Sequence, residues 1–397
     1  MTATALLIPR EGTPDLASSP QGFARAAEAL SRGRGPFDID TERASAYRYD
    51  DRVFLLQVRR AGAGTFLFAP EGHRAELRRC LEPVLGGAEW VLHAAPSDLP
   101  SLHALGLRPA TLFDTELAGR LAGFERVNLA AMVEELCGYA LAKGHGAEDW
   151  SRTPLPQDWL DYAALDVELL LDLAEALAEI LDRQGKLSWL EQDCAAMLAA
   201  PAPQRGWSSL KGLGRLRQPR QRAQARGLWR AREALAARLD TAPGTLLPDR
   251  VLLALAADPP ATPGRLWQVP GYSRRHDAHR HTWMTALAEG RALGPADYPP
   301  DPAPSPVPPH GRWPQVAPAA AEALAAAKEA YRLRGRELGT PPENLLRPKT
   351  LRAVTWAAVE EGRLRDAADL RRALRKEGAR PWQADLACAV LGPLWWA

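Results

Sequence analysis

Cysteine is scarce in this chain and never closely spaced: Cys80, Cys137, Cys194 and Cys388 are scattered over 397 residues, with no C-x-x-C among them. That spacing argues against a zinc ribbon and a disulfide framework, and it points to a reducing, cytoplasmic setting. Long apolar runs are missing too, so no segment approaches a membrane span. Residues 1–17 lack the basic start and apolar stretch of a secretory leader, and a soluble protein is expected. No G-x-x-x-x-G-K-[ST] loop is present, which excludes a helicase for this chain alone. Nor does one sign of charge dominate. Lys and Arg total 50 against 48 Asp and Glu, a formal net charge of +2, so indiscriminate coating of nucleic acid is not expected.

What is present is unevenly placed. The first 175 or so residues carry most of the clustered carboxylates, whereas Arg205 to Arg238 is densely basic. Metal held at one end and a polyanion gripped further along would suit that split. The length exceeds one ordinary core, so two or three domains are expected.

Helical spacing over 21–32 is followed by three strand-like stretches, 36–41, 53–58 and 65–68, separated by polar or glycine-bearing turns as in an antiparallel meander. Next come a helix over 72–85, a strand over 90–93, a helix over 97–105 and a short strand near Leu112. Helices are expected over 115–121, 128–136 and, as one long segment, 156–183. A meander followed by alternating elements predicts an α/β domain ending in helices. From Leu210 onward only helical periodicity appears, over 222–239, 249–257, 262–268 and 277–289. Residues 294–317 are proline-rich and read as an extended, semi-rigid linker. A second helical group then runs from 318 to the end. Both C-terminal groups set a long arginine-bearing helix before a Leu-Leu motif, Leu246-Leu247-Pro248-Asp249 and then Leu345-Leu346-Arg347-Pro348.

Three acidic motifs carry the chemistry. In Phe37-Asp38-Ile39-Asp40-Thr41-Glu42, strand alternation turns Asp40 and Glu42 to one side, where they repel unless a cation joins them. Asp38 falls on the same alternation and should lie deeper or at the domain edge. In Trp90 to Leu99, an apolar strand gives way to a turn in which Ser97 can cap a helix, placing Asp98 in its first turn. In Trp159 to Val167, Tyr162 and Asp166 are four apart and share a helical face. Each motif alone is commonplace; their order and contexts together are not.

Together, Asp40, Glu42, Asp98, Tyr162 and Asp166 resemble the signature of the DEDD exonuclease superfamily in its tyrosine-bearing branch, and within it the RNase D family. The likeness covers roughly 20–183, including Leu112 to Ala118 and the stretch from Leu141 to Leu155. Thr153 stands where the family often has Arg before the Pro-Leu pair. The resemblance implies an RNase H-like exonuclease fold, a mixed sheet flanked by helices, followed by two all-α HRDC-like domains. It also implies that Asp40, Glu42, Asp98 and Asp166 hold two Mg²⁺ or Mn²⁺ ions, with Asp40 bridging, and that Tyr162 orients the attacking water. RNA with a single-stranded 3′ end, such as a tRNA precursor, would be shortened to 5′-nucleoside monophosphates. Single-stranded DNA as substrate, or an inert nucleic-acid-binding protein, are the alternatives.

Residues 228–249 and 266–271 resemble an HRDC module, and 318–397 a more diverged copy. The expected division is an exonuclease domain over 1–205, an HRDC domain over 206–293, the linker over 294–317 and the second HRDC-like domain over 318–397. Lys143, Arg152, Arg215, Arg217, Arg220, Arg222 and Arg226 are candidate phosphate contacts, and Trp207 could stack on a base. His93 at a strand end fits packing better than proton transfer. Asp114 is placed to cap the helix beginning at Thr115. His276, His279 and His281 lack a fourth donor and are not expected to bind metal.

Overall fold

The computed structural model describes residues 3–142, 144–201, 205–300 and 307–396. The N-terminal half runs β1 (Thr4–Leu6), β2 (Leu16–Ala17), α1 (Pro20–Ser31), β3 (Arg34–Arg43), β4 (Val53–Ala61), β5 (Gly64–Phe68) and α2 (Arg74–Leu85). It continues through β6 (Glu89–Leu92), α3 (Leu99–Leu105), β7 (Thr111–Asp114), α4 (Thr115–Ala122), α5 (Leu129–Cys137) and β8 (Tyr139–Leu141). Three helices close it: α6 (Gln157–Glu168), α7 (Leu170–Arg183) and α8 (Leu187–Ala199).

The main sheet has the order β2-β5-β4-β3-β6-β7. The expected meander is there, β3 antiparallel to β4 and β4 to β5, while β6 and β7 join in parallel on the other side. The sheet is therefore mixed, with helices packed against it. Local sequence explains the elements well. Ser19 caps α1 by accepting from Gly22 N at 3.2 Å, and Phe23, Ala26, Ala27 and Leu30 recur at helical spacing to form its buried stripe. Phe37, Ile39, Val53, Leu56 and Val58 fill the centre of the sheet.

Three expectations are corrected. The single helix over 156–183 is two, broken at Leu169 (φ −118°, ψ 13°). The break follows from a change of partner: α6 lies on β3, β4 and β5, whereas α7 packs on α4 and α5. Residues 307–317 are not plain linker, because α14 (Trp313–Val316) folds back with Trp313 fully buried. The Trp313 indole donates to Pro308 O at 2.9 Å and lies 5.1 Å from Trp356, so one aromatic anchors a segment that composition reads as extended. Residues 301–306 of that linker lie outside the described residues. Finally, Ser97 does not cap a helix; it closes a 3₁₀ turn over Ala95–Ser97.

Beyond residue 205 the described chain is helical throughout: α9 (Pro219–Leu239), α10 (Pro243–Leu246), α11 (Asp249–Ala257), α12 (Arg274–Asp277) and α13 (Arg280–Ala292), then after α14 come α15 (Pro318–Leu338), α16 (Pro342–Leu345), α17 (Pro348–Val359), α18 (Ala367–Lys376) and α19 (Pro381–Trp395). The approximate repeat has a geometric counterpart. In each group a helix of 21 residues is followed by one of four residues and then another helix.

The two groups attach differently. The first has its own core around Leu228, Leu252, Trp283 and Leu287. It meets the sheet domain through polar contacts, chiefly Asp240 accepting from Arg52 at 2.7 and 2.9 Å and Ala242 N donating to Tyr47 O at 3.1 Å. The second shares one continuous apolar core with the sheet domain. Trp189 of α8 stacks on Trp382 of α19 at 4.3 Å with planes 4° apart, and Asp193 pairs with Arg380 nearby. Among the described residues, no helix is long and apolar enough to cross a membrane.

Candidate active site

Strand β3 places the first two acids. Its residues pair with β4 in a regular register, Asp40 opposite Gln57 and Glu42 opposite Leu55. Pairing with β6 ends at Asp38 opposite Val91, so the last turns of β3 have an open flank. There the segment after β6 closes in. Ala94 takes a left-handed conformation (φ 58°), the 3₁₀ turn follows, and Asp98 stands at the head of α3. Its position corrects the sequence expectation: Asp98 is the N-cap residue rather than part of the first turn, and its side chain makes no capping bond. Instead its Oδ1 accepts from Thr41 Oγ1 at 2.5 Å and from the Arg43 guanidinium. Helix α6 brings Tyr162 and Asp166 over the same face of the sheet.

The result is a cleft of about 230 Å³ lined by Asp40, Glu42, Asp98, Tyr162, Asp166, Arg43 and His93 among others. Within it, carboxylate oxygens of Asp40, Glu42 and Asp166 lie within 4.8 Å of one another. Asp98 is in the cleft but outside that triplet, held by Thr41 and Arg43. Asp38 lies deeper, as alternation suggested. It is fully buried, and burial raises its carboxyl well above the ordinary range against the opposing charge of Arg59.

Crowded acids respond to each other. Burial, then the charges of Asp98 and Asp166, hold Asp40 well above a normal carboxyl. Burial, then Asp40, pushes Glu42 up to about 10. Burial also takes Asp166 to about 7, opposed by the Tyr162 hydroxyl that faces it. Asp98 is raised by burial and pulled back by Arg43. Like charges this close cannot all ionise without a cation between them. The donors are hard oxygens with no thiolate or imidazole in the triplet, which fits Mg²⁺ or Mn²⁺. Tyr162 is driven above its ordinary value by burial and the Asp166 charge, so its hydroxyl keeps its proton at neutral pH.

His93 faces the cleft yet packs rather than titrates. Its Nδ1 lies 2.9 Å from Thr115 Oγ1, and burial lowers it to about 4. Asp114 caps α4 through Leu117 N at 3.0 Å and also accepts from Ala94 N and Ala95 N, at 3.3 and 2.9 Å. Sequence reasoning passed over four residues here: Thr41, Arg43, His145 and Gly146. The register slips between Glu42 and Arg43, an irregularity that no sequence period reveals. His145 sets its ring against Trp159 and, edge-on, against Tyr162, each at 5.7 Å, while Gly146 lines the cleft.

The candidate phosphate contacts divide. Arg215, Arg217 and Arg220 are exposed before and at the start of α9. Arg222 is a correction: it is buried, and its guanidinium donates to Leu216 O and Arg217 O at 3.3 Å, bracing the turn before its own helix. Arg226 donates to Asp297 O at 2.6 Å. Arg152 is exposed and lies over the Trp159 ring at 5.3 Å. Lys143 lies outside the described residues. Trp207 is half-buried in a 3₁₀ turn. His276 is buried with Nδ1 accepting from Ser273 N at 3.1 Å, and no metal cluster forms around it among the described residues.

Comparison with known proteins places the chain among nucleases. Residues 16–182 match a family described as 3'-5' exonuclease, 221–280 match the HRDC domain, and 306–392 match a 3' to 5' exonuclease C-terminal domain. Ribonuclease D of Granulibacter bethesdensis is 36% identical over 299 residues, covering 72% of this chain and 74% of that protein. Ribonuclease D of Gluconacetobacter diazotrophicus is 35% identical over 211 residues, 51% of this chain and 53% of that one. A solved protein from Bifidobacterium adolescentis superposes with a TM-score of 0.84 at 30% identity, over 98% of this chain and 99% of that one. Escherichia coli RNase D superposes with a TM-score of 0.68 at 21% identity over 92% and 99% respectively, which speaks to the fold.

Proposed function

The chain belongs to the ribonuclease D family, and from that premise we propose that its four-acid cleft hydrolyses RNA from the 3′ end, releasing 5′-nucleoside monophosphates. The observation that carries this is the convergence of Asp40, Glu42 and Asp166 within 4.8 Å, beside Asp98 and Tyr162 in one cleft. Such a cluster of raised carboxyls is costly unless cations occupy it. Held by Asp40, Glu42, Asp98 and Asp166, two Mg²⁺ or Mn²⁺ ions would acidify the attacking water and stabilise the departing 3′ oxygen. By resemblance to the family, Asp40 would be the acid shared between them.

The protein's own groups do the rest. Tyr162, still protonated at neutral pH, orients a water by its hydroxyl and does not remove a proton. The His145 ring, backed by Trp159, packs edge-on against it and fixes its angle. Neutral His93 and the apolar side chains of Leu129 and Leu170 wall the cleft. The exposed Arg215, Arg217 and Arg220 beside α9 are suited to phosphates of the RNA body, giving a salt-dependent grip without base readout. The substrates would be of the stable-RNA class, such as tRNA precursors with single-stranded 3′ tails. We take 206–293 as an HRDC domain and the group from 318 as a second, diverged copy. The four free cysteines suit a reducing cytoplasm.

Matched RNA and DNA oligonucleotides labelled at the 5′ end test the reading. With Mg²⁺, the RNA should shorten stepwise from its 3′ end, and Asp40→Ala or Asp166→Ala should abolish shortening. Faster removal from DNA, or an Asp40→Ala protein as active as wild type, would sink it.

A further inference from the structure

The four acids of the cleft are not equivalent. Among the described residues, Asp40, Glu42 and Asp166 form no ion pair with a basic side chain, although the Arg43 charge reaches Asp40 and Glu42. Asp98 already has a cation. The Arg43 guanidinium pairs with Asp98 Oδ1 and donates to Thr41 Oγ1 at 2.7 Å, while Thr41 itself donates to the same Oδ1 at 2.5 Å. Both charged side chains are largely withdrawn from solvent, with exposures of 22% for Arg43 and 5% for Asp98. Thr41 and Arg43 are two apart on β3 and reach Asp98 together, while Asp40 and Glu42 turn toward α6. The strand therefore presents its acids on one side and a guanidinium clamp on the other.

We propose that Arg43 is a resident counter-cation of the Asp98 corner, which restricts the cleft to one tightly bound divalent ion until a substrate phosphate arrives. The inference rests on the acids being divalent-cation ligands, as proposed above. Charge balance supports it. Among the described residues that line the cleft, four ionised carboxylates and one guanidinium carry a formal charge of minus three. One divalent ion leaves minus one, and a second overshoots to plus one, in a partly buried pocket where imbalance is costly. The single negative charge of a phosphodiester brings the two-ion state to zero, and a terminal phosphate such as that of 5′-AMP, with about −1.5 to −2 at neutral pH, brings it to zero or just below. A phosphate oxygen also offers the planar guanidinium a partner as good as Asp98, so Arg43 can turn to the substrate and release Asp98 to the incoming ion. The second ion is thereby recruited together with the strand to be cut. Arg43 acts here through Asp98, as a positioning residue.

Calorimetric Mn²⁺ titration of the full chain, with 5′-AMP as the phosphate probe, tests this. Wild type should take up one tight Mn²⁺ per chain, and a second only when 5′-AMP is present. Arg43→Gln should bind two without 5′-AMP, the second about tenfold or more tighter than in wild type. Arg43→Lys, which keeps the charge, should behave as wild type. Asp98→Asn in the wild-type background should leave the tight ion in place, whereas Asp166→Asn should remove it, so the inference stays testable even if Arg43→Gln folds poorly. Two equal Mn²⁺ sites in wild type, unchanged stoichiometry in Arg43→Gln, or loss of the tight ion in Asp98→Asn would each overturn it while leaving the proposed function standing. Absence of any Mn²⁺ binding would overturn both.

Discussion

The Asp114 carboxylate accepts a 2.9 Å hydrogen bond from the Ala95 amide, and through it the end of β7 fixes the turn that carries Asp98. The same carboxylate caps α4 through Leu117 N and holds Ala94 N of the left-handed residue beside it. Asp114→Ala should therefore cost about 2–4 kcal/mol, a lost helix cap plus a buried amide left unpaired. It should also weaken divalent-cation binding, because Asp98 loses its footing. Urea unfolding and a Mn²⁺ titration read the two effects. A wild-type urea midpoint would refute the assignment.

The raised carboxyls make cation binding a proton-releasing event. Asp166 titrates near 7 and Glu42 near 10 in the metal-free protein, both lifted chiefly by burial. Between the unfolded carboxyl values near 4 and those raised ones, the folded chain holds more protons than the unfolded chain. Unfolding free energy of the metal-free protein should therefore fall as pH rises through that window. Saturating Mn²⁺ should flatten the slope, because the ion keeps the folded acids ionised, as they already are in the unfolded chain. Apparent Mn²⁺ affinity should climb from pH 6 to pH 8, and titrations in buffers of different ionisation enthalpy should detect protons released. Affinity independent of pH over that range would contradict the account.

Much of this was legible in the residues. The alternation Asp38-Asp40-Glu42 placed two acids side by side, because a strand's period of two is rigid, and left the third deeper or at the domain edge. The four-residue spacing of Tyr162 and Asp166 likewise fixed a shared helical face. What failed depends on partners that no periodicity predicts. Arg222 reads as one of a basic run, yet the Leu216 and Arg217 carbonyls draw it inward. Trp313 reads as a lone aromatic in a linker, yet Trp356 buries it. Arg43 gave no signal, since only a slip of register at Glu42 and the arrival of Asp98 from another element give it a role. The three-residue strands β1 and β8 are too short for any alternation to show.

A glycine marks where the last helical group locks onto the sheet domain. Gly123 ends α4 with φ 99°, and a Cβ there would lie 2.1 Å from the Gly339 carbonyl oxygen. Beside it, Lys186 Nζ donates to Leu121 O, Leu338 O and Thr340 Oγ1, tying the ends of α4 and α15 together. Gly123→Ala should cost about 2–4 kcal/mol, from left-handed strain plus overlap with backbone that has little room to move. Loosening of the Trp189 and Trp382 stack should redden tryptophan emission before global unfolding. Unchanged emission and an unchanged urea midpoint would show that the junction is not held here.

Tyr162 separates two ways in which a phenol could serve this site. If its hydroxyl orients the attacking water, Tyr162→Phe keeps the ring against His145 and removes only that contact. Turnover should then drop roughly 100-fold, with KM within about twofold of wild type. The hydroxyl also lowers the Asp166 pKa, so its removal should lift that carboxyl further. The pH at which Mn²⁺ binds should move upward, while affinity at high pH stays as in wild type, because all three converging acids remain. Single-turnover cleavage of a 5′-labelled RNA across pH 6–9, beside Mn²⁺ titrations at the same values, distinguishes the contributions. Full turnover in Tyr162→Phe would eliminate the water-orienting role. A loss of rate that vanished at high pH, in step with recovered Mn²⁺ binding, would mean that the hydroxyl acts only by tuning Asp166.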